Sequence, residues 1–149
     1  MGPAAYKLLS QELPLRQLPT VTLPRDTVLH HFGAFDAANH KLDRPIWVSD
    51  AFEVAQEYQY FGVPAPFYTV LSLHSPLSVA DLNGKRLQPL AAALNMPSHR
   101  AWNVCLAAYL RVSRAQAILY AGREIFLADP AQVIGQVRTV PSGSIQGRR

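Results

Sequence analysis

The stretch Arg123-Glu124-Ile125-Phe126-Leu127-Ala128-Asp129-Pro130-Ala131-Gln132-Val133 decides how this chain is read. Its apolar centre, Ile125-Phe126-Leu127, has the composition of a buried strand, and Glu124 places a carboxylate at the mouth of that strand. Immediately upstream, Ala117-Ile118-Leu119-Tyr120 is a second apolar run. The two are separated by Ala121-Gly122-Arg123, which has the length and the glycine of a hairpin turn. Downstream, residues 133–140 supply a last strand.

Working outward, Thr27-Val28-Leu29-His30-His31-Phe32 reads as a strand, and the polar residues 36–44 form a loop that ends at Pro45. Ile46-Trp47-Val48 is a short strand. A helix follows, with Asp50 as N-cap and Glu53 three residues on as its capping-box partner; Phe52, Ala55 and Tyr58 share one face. Gly62, Pro64 and Pro66 end that helix. Phe67-Tyr68-Thr69-Val70-Leu71-Ser72-Leu73-His74 is rich in β-branched and aromatic residues and reads as a strand that stops at Pro76. Helices are expected at 87–94 and 100–111, the second capped by Ser98. Before residue 25, Pro14, Pro19 and Pro24 permit extended segments and forbid a long helix. The fold class expected is α+β, a mostly antiparallel sheet with flanking helices, in a single domain over residues 1–140 followed by a disordered tail at 141–149.

Composition narrows the function classes. Lys and Arg number 14 against 10 Asp and Glu, a net charge of +4. No lysine-rich patch interleaves with aromatics, so the charge alone assigns no nucleic-acid partner. The apolar runs are shorter than a membrane span, and residues 1–7 show no basic flank followed by an apolar stretch, so neither a membrane segment nor a cleavable signal is expected. Cys105 is the single cysteine, which excludes an internal disulfide and fits a buried inert thiol in a reducing compartment. The histidines at 30, 31, 40, 74 and 99 lack metal-ligand spacing, so no metal is expected. Asn83-Gly84-Lys85 is a turn without the longer glycine pattern of a phosphate loop.

Three features recur in a definite order: a histidine on an early strand, an aromatic strand followed by a helix bearing a tyrosine, and a glutamate opening a late strand. In this the chain resembles the ADP-ribosyltransferases of the histidine-tyrosine-glutamate type, over residues 27–140. Leu29-His30-His31-Phe32 is similar to that family's leucine, aromatic, histidine, glycine motif. The resemblance selects His31 to hold a ribose hydroxyl of NAD and gives Phe32 the backbone position that grips the nicotinamide amide. Neighbouring strand residues face opposite ways, so only one of His30 and His31 can face a ligand. Trp47 and Tyr58 have the spacing of the family's two nicotinamide-stacking aromatics. Ala55 stands where polymerase-like members carry a serine for the amide, so by this resemblance either nicotinamide recognition is looser or Ser49 supplies that contact. Residues 123–133 resemble the glutamate motif and make Glu124 the catalytic carboxylate.

The resemblance implies an ADP-ribosyltransferase-like split sheet and NAD as substrate, with no metal. It further implies a mono-ADP-ribosyltransferase of bacterial toxin or effector type, acting in the cytoplasm after delivery by a secretion system. A macromolecular acceptor, protein or nucleic acid, and a neutralising antitoxin or immunity protein are the implied partners. Gly122 occupies the position where arginine-modifying or glutamine-modifying members carry a second acid or amide, which argues against that subclass. Arg123 leaves a cation suited to an acidic or phosphate-bearing acceptor. The alternatives are an NAD glycohydrolase on the same fold and an interaction module without catalysis. Singly, each residue also has a structural role open to it: an edge charge for Glu124, core aromatics for Trp47 and Tyr58, a hydrogen-bonded histidine for His31.

Overall fold

The computed structural model describes residues 19–57, 65–82, 103, 106–107, 110, 115–120 and 123–145. The expected helix at 87–94, the cap Ser98 and the residues Tyr58, Cys105 and Gly122 lie outside them. Strands β1 (Thr20–Leu23), β2 (Val28–Gly33), β3 (Ile46–Ser49), β4 (Phe67–Leu73), β5 (Leu77–Asp81), β6 (Ala117–Leu119), β7 (Glu124–Leu127) and β8 (Ile134–Pro141) join in one sheet. Their order is β1-β5-β6-β7-β3-β2-β4-β8, and every pairing but the parallel β5–β6 is antiparallel. Helices α1 (Phe52–Gln56) and α2 (Pro130–Val133) are short. The architecture is α+β with a mostly antiparallel sheet, as the sequence led us to expect.

A three-residue connection fixes the shape of this sheet. Strands β4 and β5 stand five places apart in the strand order, yet only residues 74–76 separate them in the chain. Five flat inter-strand spacings span about 24 Å, while the four virtual bonds from Leu73 to Leu77 reach at most about 14 Å. The sheet must therefore curl until its two halves face each other. Leu29, Ile46, Val48, Leu71, Leu77, Val79, Ile125 and Leu127 all project to the inner face and form one buried cluster. They occupy alternate positions of their strands, and that alternation puts the other half of each strand outside.

The outer face carries two smaller clusters. Ile118, Phe126 and Ala80 are covered by Leu106, Ala107 and Leu110. These three and Asn103 are helical, in agreement with the helix expected at 100–111. Farther along, Phe32, Tyr68 and Val140 meet Phe52 and Ala55 of α1 together with Ile145.

Several local expectations are corrected. Asp50 does not cap the helix after β3: Ala51 is the N-cap residue, with no side-chain cap bond, and Asp50 instead binds Arg123. Strands β1 and β5 were not anticipated, nor was α2, where Pro130 at the first turn supplies a preset helical φ. Residues 141–145, expected to belong to a disordered tail, are structured. Ser142–Ser144 form a 3-10 turn, the Ser142 amide donates to the Pro66 carbonyl at 2.9 Å, and Ile145 is buried against Phe32 and Tyr68. Burial of that one apolar side chain anchors the segment. Among the described residues no helix is long and apolar enough to cross a membrane.

Candidate functional site

Strand register assembles the site. His30 on β2 is the Cα partner of Ser49 on β3, and Ser49 is the partner of Glu124 on β7. Directly opposed residues of antiparallel strands share a face, so an imidazole, a hydroxyl and a carboxylate form a row on the outer face. Two inter-strand spacings, about 10 Å, separate the ends of the row.

Each member is held by its own strand. Ser49 is 1% exposed, and its Oγ accepts the Ala51 amide at 3.0 Å, so the hydroxyl turns the chain from β3 into α1. Glu124 is half-buried, and its carbonyl accepts the Tyr120 amide at 2.7 Å across the turn from β6. His30 is half-buried. Its Nδ1 lies 2.6 Å from the Tyr68 hydroxyl, and its ring meets Phe52 edge-on. Burial lowers the His30 pKa below the ordinary histidine value, partly opposed by the Glu53 and Asp50 carboxylates. Burial raises that of Tyr68, partly opposed by Arg138, so the phenol keeps its proton.

His31, the histidine selected by the motif, does not join the row. It faces inward beside Thr69, its register partner on β4. Its Nδ1–H donates to the Trp47 carbonyl at 2.6 Å. Its Nε2 sits over Gly33, where a methyl group would approach it to 2.7 Å. Desolvation lowers its pKa, and the bond to the Trp47 carbonyl opposes that shift. The ring is therefore packed and hydrogen-bonded between strands.

The remaining expected contacts divide. Phe32 is buried, and its ring stacks on Tyr68 with centroids 4.7 Å apart. Trp47 shares the face of Ser49, with Nε1 donating to Asn103 Oδ1 at 2.9 Å and the indole packed against Phe126. Tyr58, its expected partner in a nicotinamide sandwich, is outside the described residues. Arg123 is not left as a cation for an acceptor. With φ at 69°, it turns its guanidinium onto Asp50, Nε at 2.8 Å and the terminal nitrogen at 2.5 Å. The pair bridges the residue after Ser49 to the residue before Glu124.

Sequence reasoning missed Tyr68. Its signal was alternation: Thr69, Leu71 and Leu73 face inward, which places Tyr68 outward beside His30. A cavity of about 650 Å3, lined by Pro45, Ala128, Asp129 and Gln132 among others, lies at the opposite end of the β3–β7 pair from Ser49 and Glu124. It does not include the row. The chain matches no protein-family model, no curated protein and no solved structure.

Proposed function

We propose that this protein is a mono-ADP-ribosyltransferase of toxin or effector type, cleaving NAD at the nicotinamide–ribose bond and passing ADP-ribose to a macromolecular acceptor. The observation that carries this reading is the row of His30, Ser49 and Glu124 across adjacent strands of the curled sheet. On this reading the sheet is the split core of an ADP-ribosyltransferase-like fold. His30 takes the ribose-holding role that the motif gave to His31.

The chemistry follows from charge. As the C1′–nitrogen bond breaks, its electron pair leaves with nicotinamide and the ribose acquires oxocarbenium character. The Glu124 carboxylate, fixed at the head of β7, stabilises that cation through the 2′-hydroxyl. His30 supplies a polar contact to the sugar, while Ser49, buried and engaged by the Ala51 amide, fixes the strand end beside it. An acceptor nucleophile then bonds to C1′ and loses its proton. Water in that place makes the protein an NAD glycohydrolase. One observation favours this second reading: Arg123 is engaged by Asp50, so the cation expected to draw an anionic acceptor is already neutralised.

Nicotinamide release from NAD, measured for the protein and its Glu124→Gln variant, tests the proposal. Loss of one transition-state stabilising group lowers such a rate roughly 10²–10³-fold. Equal release from both proteins sinks the assignment. Labelled NAD added to a lysate then separates transfer, which labels macromolecules, from hydrolysis, which yields free ADP-ribose.

A further inference from the structure

We propose that Tyr68 is a positioning residue that fixes the tautomer of His30, so that His30 presents its Nε2–H as a hydrogen-bond donor on the face it shares with Ser49 and Glu124. The argument is one of satisfying buried polar groups. The Tyr68 side chain is buried, and its phenol stacks on Phe32 and meets Phe52 edge-on. A buried phenolic O–H needs an acceptor. Among the described residues its hydrogen-bond partner is His30 Nδ1, at 2.6 Å. Were Nδ1 to carry the proton, it would donate to the phenol oxygen, and the phenol would have to turn its own hydrogen away from His30, toward the rings of Phe32 and Phe52 that pack on it. The phenol therefore donates, Nδ1 accepts, and the proton of the neutral imidazole stays on Nε2.

Geometry makes that choice matter. Tyr68 belongs to β4, on one side of β2, whereas Ser49 and Glu124 lie on the other side. With Nδ1 committed toward β4, Nε2 projects away from it. His31 shows the reverse assignment: its Nδ1 faces a carbonyl, which can only accept, so that nitrogen holds the proton. Adjacent histidines thus carry opposite tautomers, each set by the element its Nδ1 touches. The donor offered by His30 selects an oxygen acceptor on a ligand, a hydroxyl or a phosphate oxygen, over an amide N–H. The ligand part of this inference rests on the NAD reading; the tautomer part does not.

Long-range proton–nitrogen correlation spectra of the histidine rings, recorded at about pH 7.5, where neutral imidazole dominates, decide the matter. In the unaltered protein the spectrum is expected to show His30 protonated at Nε2 and His31 at Nδ1. Tyr68→Phe retains the stacked ring and removes the donor. The His30 pattern should then shift toward a mixture of tautomers while that of His31 stays put. An Nδ1–H form of His30 in the unaltered protein overturns the proposal, and so does a His30 pattern indifferent to Tyr68→Phe. If nicotinamide release is present, Tyr68→Phe should lower kcat/KM for NAD by roughly tenfold, the scale of one hydrogen bond. A protein inactive on NAD that still shows the two tautomers retains the inference and discards the NAD reading.

Discussion

His30 and His31 are consecutive on β2, yet one ring lies on the outer face beside Ser49 and the other is packed between strands. His30 lies outside, in a row with Ser49 and Glu124, and bonds a side chain whose hydroxyl can rotate. His31 lies inside, bonds a main-chain carbonyl, and closes over a glycine. The pleat alone separates them, because successive strand residues project to opposite faces. The curl then turns a difference of side into one of environment, inner core against outer face. A histidine motif therefore names a strand; the register of its neighbours decides which ring meets the chemistry.

The largest effect should come from deleting the inner ring. His31→Ala removes a packed side chain and strips the Trp47 carbonyl of its partner, for an expected loss of about 3 kcal/mol in urea unfolding. His30→Ala should cost less stability and more nicotinamide release. The reverse ranking on both measurements would return His31 to the ligand face and undo the register argument.

Gly33 sharpens the same point. A Cβ there would lie 2.7 Å from His31 Nε2, and the ring cannot step aside without giving up the Trp47 carbonyl. Gly33→Ala should lose about 2 kcal/mol, in the range found for overpacked sites. In a His31→Ala background the clash has no partner, so the alanine should be nearly neutral. Additive losses in this double-mutant cycle would mean that Gly33 is required for some other reason.

Protonation perturbs His31 without deleting it. Its folded pKa is lowered by burial from the ordinary value of 6.5, so below that value the unfolded chain binds the extra proton first. The stability supplied by the neutral inner ring is present in full above that range and is lost as pH falls through it toward the folded pKa. Unfolding curves of the unaltered protein and His31→Ala, compared between about pH 7.5 and 5.5, isolate this contribution from the rest of the chain. Their difference should shrink on acidification. A constant difference would show that His31 is not desolvated.

How much of this was legible beforehand follows from the kind of signal each element carries. β2, β3, β4 and β7 announce themselves through runs such as Ile46-Trp47-Val48 and Ile125-Phe126-Leu127, whose side chains favour a pleated, buried surface. Glu124 stood out as a carboxylate opening such a run, and Ser49 was singled out only through the family resemblance. Their adjacency did not, because register is a property of pairing between segments more than 70 residues apart. The parity of the histidines was plain, but parity alone cannot say which ring shares a side with Glu124. Asp50 illustrates competition: Asp-x-x-Glu before an apolar face satisfies a local capping rule, and a bidentate guanidinium from the far hairpin takes the carboxylate instead. Tyr68 carried no motif at all, since its role depends on what β4 sets beside it.

The smallest effect is expected at that Asp50–Arg123 pair, and it tests the outer side of the comparison. The side chains are 20% and 61% exposed, so their attraction is screened by solvent and salt despite the two-point geometry. Asp50→Asn should lower stability by only about 0.5 kcal/mol at low ionic strength, and by less as salt rises. Its position predicts a larger effect on function than on folding. Asp50 follows Ser49 and Arg123 precedes Glu124, so the pair ties together the strand ends that align hydroxyl and carboxylate. Nicotinamide release should therefore fall more than the unfolding curve moves, with exchange of the two charges restoring part of it. A stability loss as large as that of His31→Ala would mean that the outer rim is built as rigidly as the inner core, and the contrast between the two faces of β2 would fail.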